Sequence, residues 1–334
     1  MVTIYDISKL ANVSTMTVSR VINKSGNVSE ATRRKVEEAI AELNYIPNSS
    51  ARYLTARKSK ILSLMITDIT NPFFTKVARG AEDKAKQMGY RLLLCNSDED
   101  INKESDYINM LISTGVDGVL ITPSEDKSKK NLKTLNKYNI PFILLDRKID
   151  GINADEIHGD SREGTRRILQ YLIDNGHKNI AIISGPLHVS TARERQEAYM
   201  DTLKANQLPV REDYIFHSKF KGQDTSDMIN KLVVLDKAER PTAIFAANNI
   251  IAVHTIKALR EKGLQVPEDI SVVCFDDLDP AFDLDPFMTV ISQQAYQFGF
   301  TGMQMLIERI EKTAPSEFRK VVLPSELIVR KSTL

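Results

Sequence analysis

A chain of 334 residues is too long for one ordinary domain, so two or three are expected. A hydrophobic fraction of 42% with 27% charged residues is that of a soluble globular protein, and no apolar run approaches the ~20 residues of a membrane span. The net charge is only +1, yet residues 1–60 carry +5 and the rest −4, so a small basic segment precedes a larger acidic one. That imbalance points to a nucleic-acid-binding head.

The basic segment reads as three short helices. Thr3 can cap the first, with Asp6 three places on, and Ile7, Leu10 and Ala11 share a face. Asn12-Val13 makes a tight turn. Ser14 can cap a second helix, TMTVSRVIN, with Val18, Val21 and Ile22 inward and Thr15, Met16, Ser19 and Arg20 pointing elsewhere. Ser29 can cap a third, whose stripe is Val36, Ala39, Ile40 and Leu43. Two helices joined by a tight turn, plus a third, form the helix-turn-helix plan, whose second helix fits the major groove. A plain three-helix bundle with a solvated basic face fits the same pattern. Pro47 stops the third helix. The next stretch, PNSSARYLTARKSK, reads alone as a polar linker.

From Lys60 onward, short apolar runs alternate with helical patterns: ILSLMIT, RLLLC, GVLIT, PFILLD, NIAIISG, AIFAAN and ISVVCF. Such runs suit strands covered on both faces, and the alternation predicts an α/β core of parallel sheets. There are enough strands for two sheets, roughly 61–159 and 160–290, with MTVISQ and VVLPSELIVRKS as late strands that could return to each half. Cys95 and Cys274 sit inside apolar runs and read as buried small hydrophobes.

In parallel sheets, ligands bind outside the carboxyl ends of the strands. Strand after strand here ends in a hydrogen-bonding or aromatic side chain: Asp68, Asn71, Phe73 and Phe74; Asp146 and Arg147; Arg193 and Arg195; Asn248 and Asn249; Asp276 and Asp277; Gln293 and Gln294. Asp146 and Asp276 balance Arg147 and Arg195, which favours a neutral, hydroxyl-rich ligand over an anion. Phe73, Phe74 and Phe220 could supply apolar walls for the C–H faces of a sugar. The Phe73-Phe74 pair could equally fill the core beneath its loop.

An enzyme finds little support. The histidines, His158, His177, His188, His217 and His254, are scattered, and there is no HExxH, GxSxG, GxxxxGK[ST] or GxGxxG. No cofactor is expected. The N-terminus shows no basic-then-apolar signal pattern, so a cytoplasmic protein is expected.

TIYDISKLANVSTMTVSRVIN followed by VSEATRRKVEEAIAELNYIPN resembles the head of the lactose repressor/galactose repressor (LacI/GalR) family. The resemblance implies that Thr15, Met16 and Arg20 read base edges of a double-stranded operator, with Ser14, Thr17 and Asn23 beside them. It makes residues 47–59 a hinge helix and linker that enters the minor groove, carrying Ala51 and Leu54, with Leu54 wedging a base step and Ser49, Ser50 and Arg52 placed to reach phosphates. Residues 60–334 are similar to the periplasmic sugar-binding fold shared by that family, nearest to ribose-binding proteins and ribose repressors. NPFF, LLDR, TARER, FAAN, CFD and SQQ fall in that order. Carried over, they make Asn71, Phe73, Phe74, Asp146, Arg147, Arg195, Phe220, Asn248, Asp276 and Gln293 the sugar contacts. Asn249 stands where an Asp is usual.

The expected architecture is therefore α/β: an all-α helix-turn-helix head (1–46) and a two-lobed, periplasmic-binding-protein-like core of two doubly wound parallel sheets. Its first lobe takes about 60–159 plus 292–321, its second about 160–291 plus 322–334. The expected function is a homodimeric repressor released from a palindromic operator by a neutral, ribose-like sugar. A regulator driven by a corepressor, small molecule or phosphorylated carrier protein, is the alternative. Gln304 stands where the catabolite control protein of the family has an arginine, which counts against the carrier-protein form.

Overall fold

The computed structural model describes residues 2–23, 25–45, 59–220, 222–278 and 285–334. The expected hinge residues Ser49, Ser50, Ala51, Arg52 and Leu54 lie outside them. The chain divides into two units, residues 1–59 and 60–334.

In the first unit, helices α1 (Ile4–Leu10), α2 (Thr15–Ile22) and α3 (Glu30–Glu42) start where their capping residues dictate. The Asp6 carboxylate accepts from the Thr3 amide and hydroxyl at 2.8 and 2.7 Å. Ser14 Oγ accepts from the Thr17 amide, and Ser29 Oγ from that of Thr32. Each satisfies a donor that a helix start leaves open. Asn12 takes the left-handed turn between α1 and α2, with φ 52°. Ile7, Ala11, Val18, Val21, Val36 and Ala39 form the core. Leu10 is not part of it, being 45% exposed. The buried stripe of α1 runs through Ile4, Ile7 and Ala11, which leaves Leu10 on its flank.

The second unit holds two six-stranded sheets. The first contains β1 (Ile61–Ile66), β2 (Arg91–Asn96), β3 (Gly118–Ile121), β4 (Phe142–Leu145), β5 (Asp155–Gly159) and β11 (Lys320–Leu323), in the order β11-β5-β4-β3-β1-β2, all parallel. Helices α4 (Pro72–Gln87), α5 (Ile101–Thr114) and α6 (Lys129–Lys137) connect its early strands. The second contains β6 (Ile180–Ser184), β7 (Ile215–His217), β8 (Ala243–Ala246), β9 (Ser271–Phe275), β10 (Thr289–Ser292) and β12 (Glu326–Ile328), in the order β12-β10-β9-β8-β6-β7. Its helices are α7 (Ser161–Asp174), α8 (Ser190–Ala205), α9 (Thr225–Val233) and α10 (Asn249–Glu261). One helix, α11 (Ala295–Glu311), leaves the second sheet after β10 and packs on the first lobe.

Alternate residues of each strand serve opposite layers. Leu62, Leu64 and Ile66 of β1 join the core under α4 and α11, whereas Met65 joins that under α5 and α6. Both faces are thus covered, as the continuous apolar runs require. One strand departs from the all-parallel expectation: β12 runs antiparallel to β10. The chain leaves β11 at its carboxyl end, on the cleft side, and Pro324-Ser325 alone joins it to β12. No helix can fit in so short a link, so β12 enters the second sheet from the cleft. β11 also stays in the first sheet to Leu323, two residues past the expected boundary.

Helices α4 and α11 touch backbone to backbone. A Cβ on Gly80 would lie 2.1 Å from the Tyr296 carbonyl oxygen, and one on Gly299 1.8 Å from that of Val77. The far end of this lobe is fixed by Asp155, whose fully buried carboxylate takes paired contacts from Arg309 (2.7 and 2.9 Å) and a further 2.9 Å contact from Arg319. Burial alone would raise the Asp155 pKa, but hydrogen bonds from Arg309 and Arg319 hold it below the usual carboxylate value. Removing one partner of a buried pair leaves uncompensated charge, so Asp155→Ala should cost about 3–5 kcal/mol. Urea unfolding of the variant against the parent measures this.

Candidate ligand cleft and DNA-facing helix

The carboxyl ends of both sheets face one another across a cleft. A cavity there is lined by Asp68, Asn71, Phe73, Phe74, Glu99, Asp146, Arg147, Thr191, Arg195, Phe220, Asn248 and Asp276. Nine of the ten residues expected to meet a sugar line this cavity. The tenth, Gln293, stands behind it, its Nε2 donating to Asp276 Oδ1 at 2.6 Å. Gly159 makes room for Gln293, because a Cβ there would lie 1.9 Å from Gln293 Oε1.

Phe73 and Phe74 do both things the sequence allows. They are 6% and 5% exposed, pack edge to face at 5.1 Å, and belong to the first lobe's core while walling the cavity. Phe73 also meets Phe298 of α11 edge to face at 5.4 Å. Phe220 forms the opposite wall from the second lobe, in space that Gly185 leaves open. The Arg147 guanidinium of the first lobe lies 5.2 Å from the Phe220 ring centre.

Two asparagines act as helix caps at the cavity edge. Asn71 Oδ1 accepts from the Phe73 amide at 3.0 Å and opens α4, and Asn248 Oδ1 accepts from the Ile251 amide at 2.7 Å in α10. Asn249 is fully buried, and its Nδ2 donates across the cleft to Asn71 Oδ1 at 3.1 Å. Further bridges between the lobes are Arg193 to Asp126 (2.7 and 3.2 Å), His188 to Glu125 (3.6 Å) and Lys148 to Glu194 (2.5 Å).

The charged residues are the least ordinary part. Asp146 and Asp276 occupy equivalent places, each following the third strand of its sheet, with left-handed φ of 63° and 70°. Each amide reaches the neighbouring strand, to Ile157 O at 2.8 Å and Ile291 O at 2.9 Å. Non-glycine residues adopt this conformation seldom, and such strain clusters at functional sites. Arg195 stacks on Phe275 at 3.7 Å, donates to Ala247 O at 2.5 Å, and lies 4.0 Å from Asp276. Asp277 points elsewhere and forms a paired contact with Arg330 at 2.7 Å.

The expected charge balance needs correction. Glu99 and Asp68 also line the cavity, so four acids face two guanidinium groups. The same carboxyl-end rule, applied to β2, would have reached Glu99. Desolvation raises the Asp276 pKa against the pull of Arg195, and burial pushes that of Asp146 up to about 6 despite Arg147 and Arg195.

On α2, Met16 (64% exposed) and Arg20 lie exposed one turn apart, while Thr15 and Thr17 are half-buried. Ser14 is occupied as the cap, and Asn23 Nδ2 donates to Ser19 Oγ at 3.2 Å. Among the described residues no group of histidine, cysteine and carboxylate side chains could hold a metal ion, and no helix is long and apolar enough to cross a membrane. Both cysteines are buried and free.

A helical unit with the helix-turn-helix plan among its described residues, followed by a two-lobed core with a ligand cleft, defines a ligand-regulated transcription factor. Residues 3–48 match the family of bacterial regulatory proteins of the lacI type, and residues 58–330 that of periplasmic binding proteins and the sugar-binding domain of the LacI family. The HTH-type transcriptional repressor PurR of Aliivibrio salmonicida is 36% identical over 99% of both chains. The lac repressor dimer bound to operator and the anti-inducer ONPF superposes with a TM-score of 0.81 at 30% identity, covering 100% of this chain and 99% of that one. A LacI family regulator from Enterococcus faecium with bound ribose gives 0.72 at 28% identity, over 82% and 98%. The chain belongs to the LacI family; it is a DNA-binding transcriptional repressor of that family and not an enzyme.

Asp146 generates a pH prediction. Its folded-state pKa of about 6 exceeds the ordinary value of 3.8, so the folded state binds the extra proton. Stability from this group should therefore rise as pH falls through 6 and reach its full value below the unfolded pKa. Asp146→Asn should flatten the part of that slope due to this group and raise stability near pH 7.5, read by denaturant titration across pH 4–8.

Proposed function

We propose that this repressor holds a palindromic operator as a homodimer and releases it when a neutral, ribose-like sugar closes the cleft. One observation carries the reading: nine strand-end residues, drawn from both lobes, line a single cavity with aromatic walls on two sides and buried charged groups between them. A sugar offers apolar C–H faces to Phe73, Phe74 and Phe220. Its hydroxyls can donate to Asp146 and Asp276 and accept from Arg147 and Arg195, whose Nε atoms are buried with no hydrogen-bond partner among the described residues. Four acids around two arginines disfavour a phosphosugar. The ribose-bound family member supports the same chemistry.

On the DNA side, Arg20 can fork to a guanine edge and Met16 offers apolar contact, for instance to a thymine methyl. Thr15, Thr17, Ser14 and Asn23 complete the facing surface, Ala51 and Leu54 take the minor groove, and Ser49, Ser50 and Arg52 reach phosphates. Two heads on a dimer read a palindrome. A chromosomal operator places the protein in the cytoplasm. Sugar-driven closure alters how the two subunits meet and thereby the hinge helices, a coupling typically of ~1–3 kcal/mol. The reverse sign, a ligand that strengthens DNA binding, is the second reading. The operator-bound lac repressor carrying an anti-inducer shows a ligand accompanying the DNA-bound state in this family.

Calorimetric titration with ribose and other neutral pentoses and hexoses, repeated with operator DNA present, tests the proposal. Binding that weakens operator affinity supports it; binding that strengthens it selects the second reading; no neutral sugar binding at all defeats it. Asp276→Asn should weaken sugar binding about 10–150-fold, the worth of a hydrogen bond to a charged group, while sugar-free operator affinity stays within about twofold. Arg20→Ala should cost about 1–3 kcal/mol of operator affinity and relax specificity at one base pair, seen by binding to single-base variants.

A further inference from the structure

Sugar binding by itself does not account for the way Arg147 is held. A guanidinium presents an end pair of donors, Nη1 with Nη2, and a side pair, Nε with Nη2; an anion is captured by such a pair. In Arg147 the end pair is taken by Glu99, at 2.6 and 2.7 Å. The carbonyl oxygens of Pro123 and Ser124 accept from Nη1 as well, at 3.1 and 3.0 Å. Only the side edge turns toward Asp146, whose Oδ2 lies 4.0 Å from Nε. The backbone pays attention to this placement: Asp98 and Glu99 both adopt left-handed φ, 56° and 61°, a conformation two successive non-glycine residues seldom share. Glu99 also lines a second cavity, with Asp98, Asp100, Glu125, His188 and Lys219.

We propose that Glu99 is a specificity-determining residue of the ligand cavity. By taking the end pair of Arg147 and cancelling its charge, it disfavours phosphorylated and carboxylated ligands and leaves a site for neutral polyols. This deepens the sugar reading and rests on it for the identity of the neutral ligand. The exclusion itself is a property of the Glu99–Arg147 pair and can be measured without that sugar.

The experiment uses the full-length protein and three variants: Glu99→Gln, Glu99→Asp and the double variant Glu99→Gln/Arg147→Gln. Calorimetry compares ribose with ribose 5-phosphate, and thermal shift follows inorganic phosphate. Glu99→Gln should lower the preference for ribose over its phosphate at least about tenfold, since like charges placed together cost several kcal/mol and tenfold is 1.4 kcal/mol. It should also gain a phosphate-dependent stabilisation that the parent lacks. Glu99→Asp keeps the charge and should keep the preference; the double variant should lose the phosphate response. An equal loss of both sugars in Glu99→Gln, with the preference unchanged and no phosphate response, overturns the proposal. Should the parent bind no neutral sugar, the sugar reading fails separately, and the phosphate arm decides: a response in Glu99→Gln but not in the parent supports exclusion by Glu99, and no difference overturns it.

Discussion

Taking Asp146, Arg147, Arg195 and Asp276 out of water at one place is the constraint around which this core is arranged. An isolated buried charge costs several kcal/mol, and it is tolerated only with partners in good geometry. Several features nearby answer that need in part, since each carboxylate keeps a guanidinium nitrogen at 4.0 Å. Parallel strands bring their carboxyl ends to one side of each sheet, so two sheets facing each other can meet four charges from opposite lobes. The left-handed turns at Asp146 and Asp276 direct each carboxylate toward the guanidinium groups while their amides stay bonded to the adjacent strand. Gln293, Glu99 and the Ala247 carbonyl complete the set.

Much of this was legible in the sequence because strand ends announce themselves. Apolar runs such as ILSLMIT and ISVVCF become β1 and β9, and the polar residue after each run falls in the cleft. Pairing between distant residues was not legible. That Glu99 forks to Arg147, that Asn249 spans to Asn71, and that Gln293 supports Asp276 all depend on contacts tens to hundreds of residues apart. The sense of β12 depended on a two-residue link whose consequence shows only once both sheets face the cleft. Within α1, a seven-residue helix offers too few turns to separate a buried stripe from its flank, which is why Leu10 was misplaced.

The head and the core solve different problems. The head is small and relies on local devices: three capped starts and a six-residue buried core. It needs only to present α2. The core joins two lobes across a cleft, and the bridges described between them are polar. Asn71–Asn249, Arg193–Asp126 and Lys148–Glu194 join the lobes. Water can replace such contacts at modest cost, whereas an apolar seam would have sealed the cleft.

The backbone contact at Gly80 and Gly299 has a mechanical consequence. Helix α4 begins at the cavity with Asn71 and carries Phe73, and α11 begins two residues after Gln293. With no side chain between them at the crossing, neither helix can slide or tilt against the other without a clash of main-chain atoms. The aromatic wall and the strand-to-helix crossing that carries Gln293 therefore travel as one stiff plate. A displacement at the cavity would then reach, lever-like, whatever surface the far ends of those two helices present.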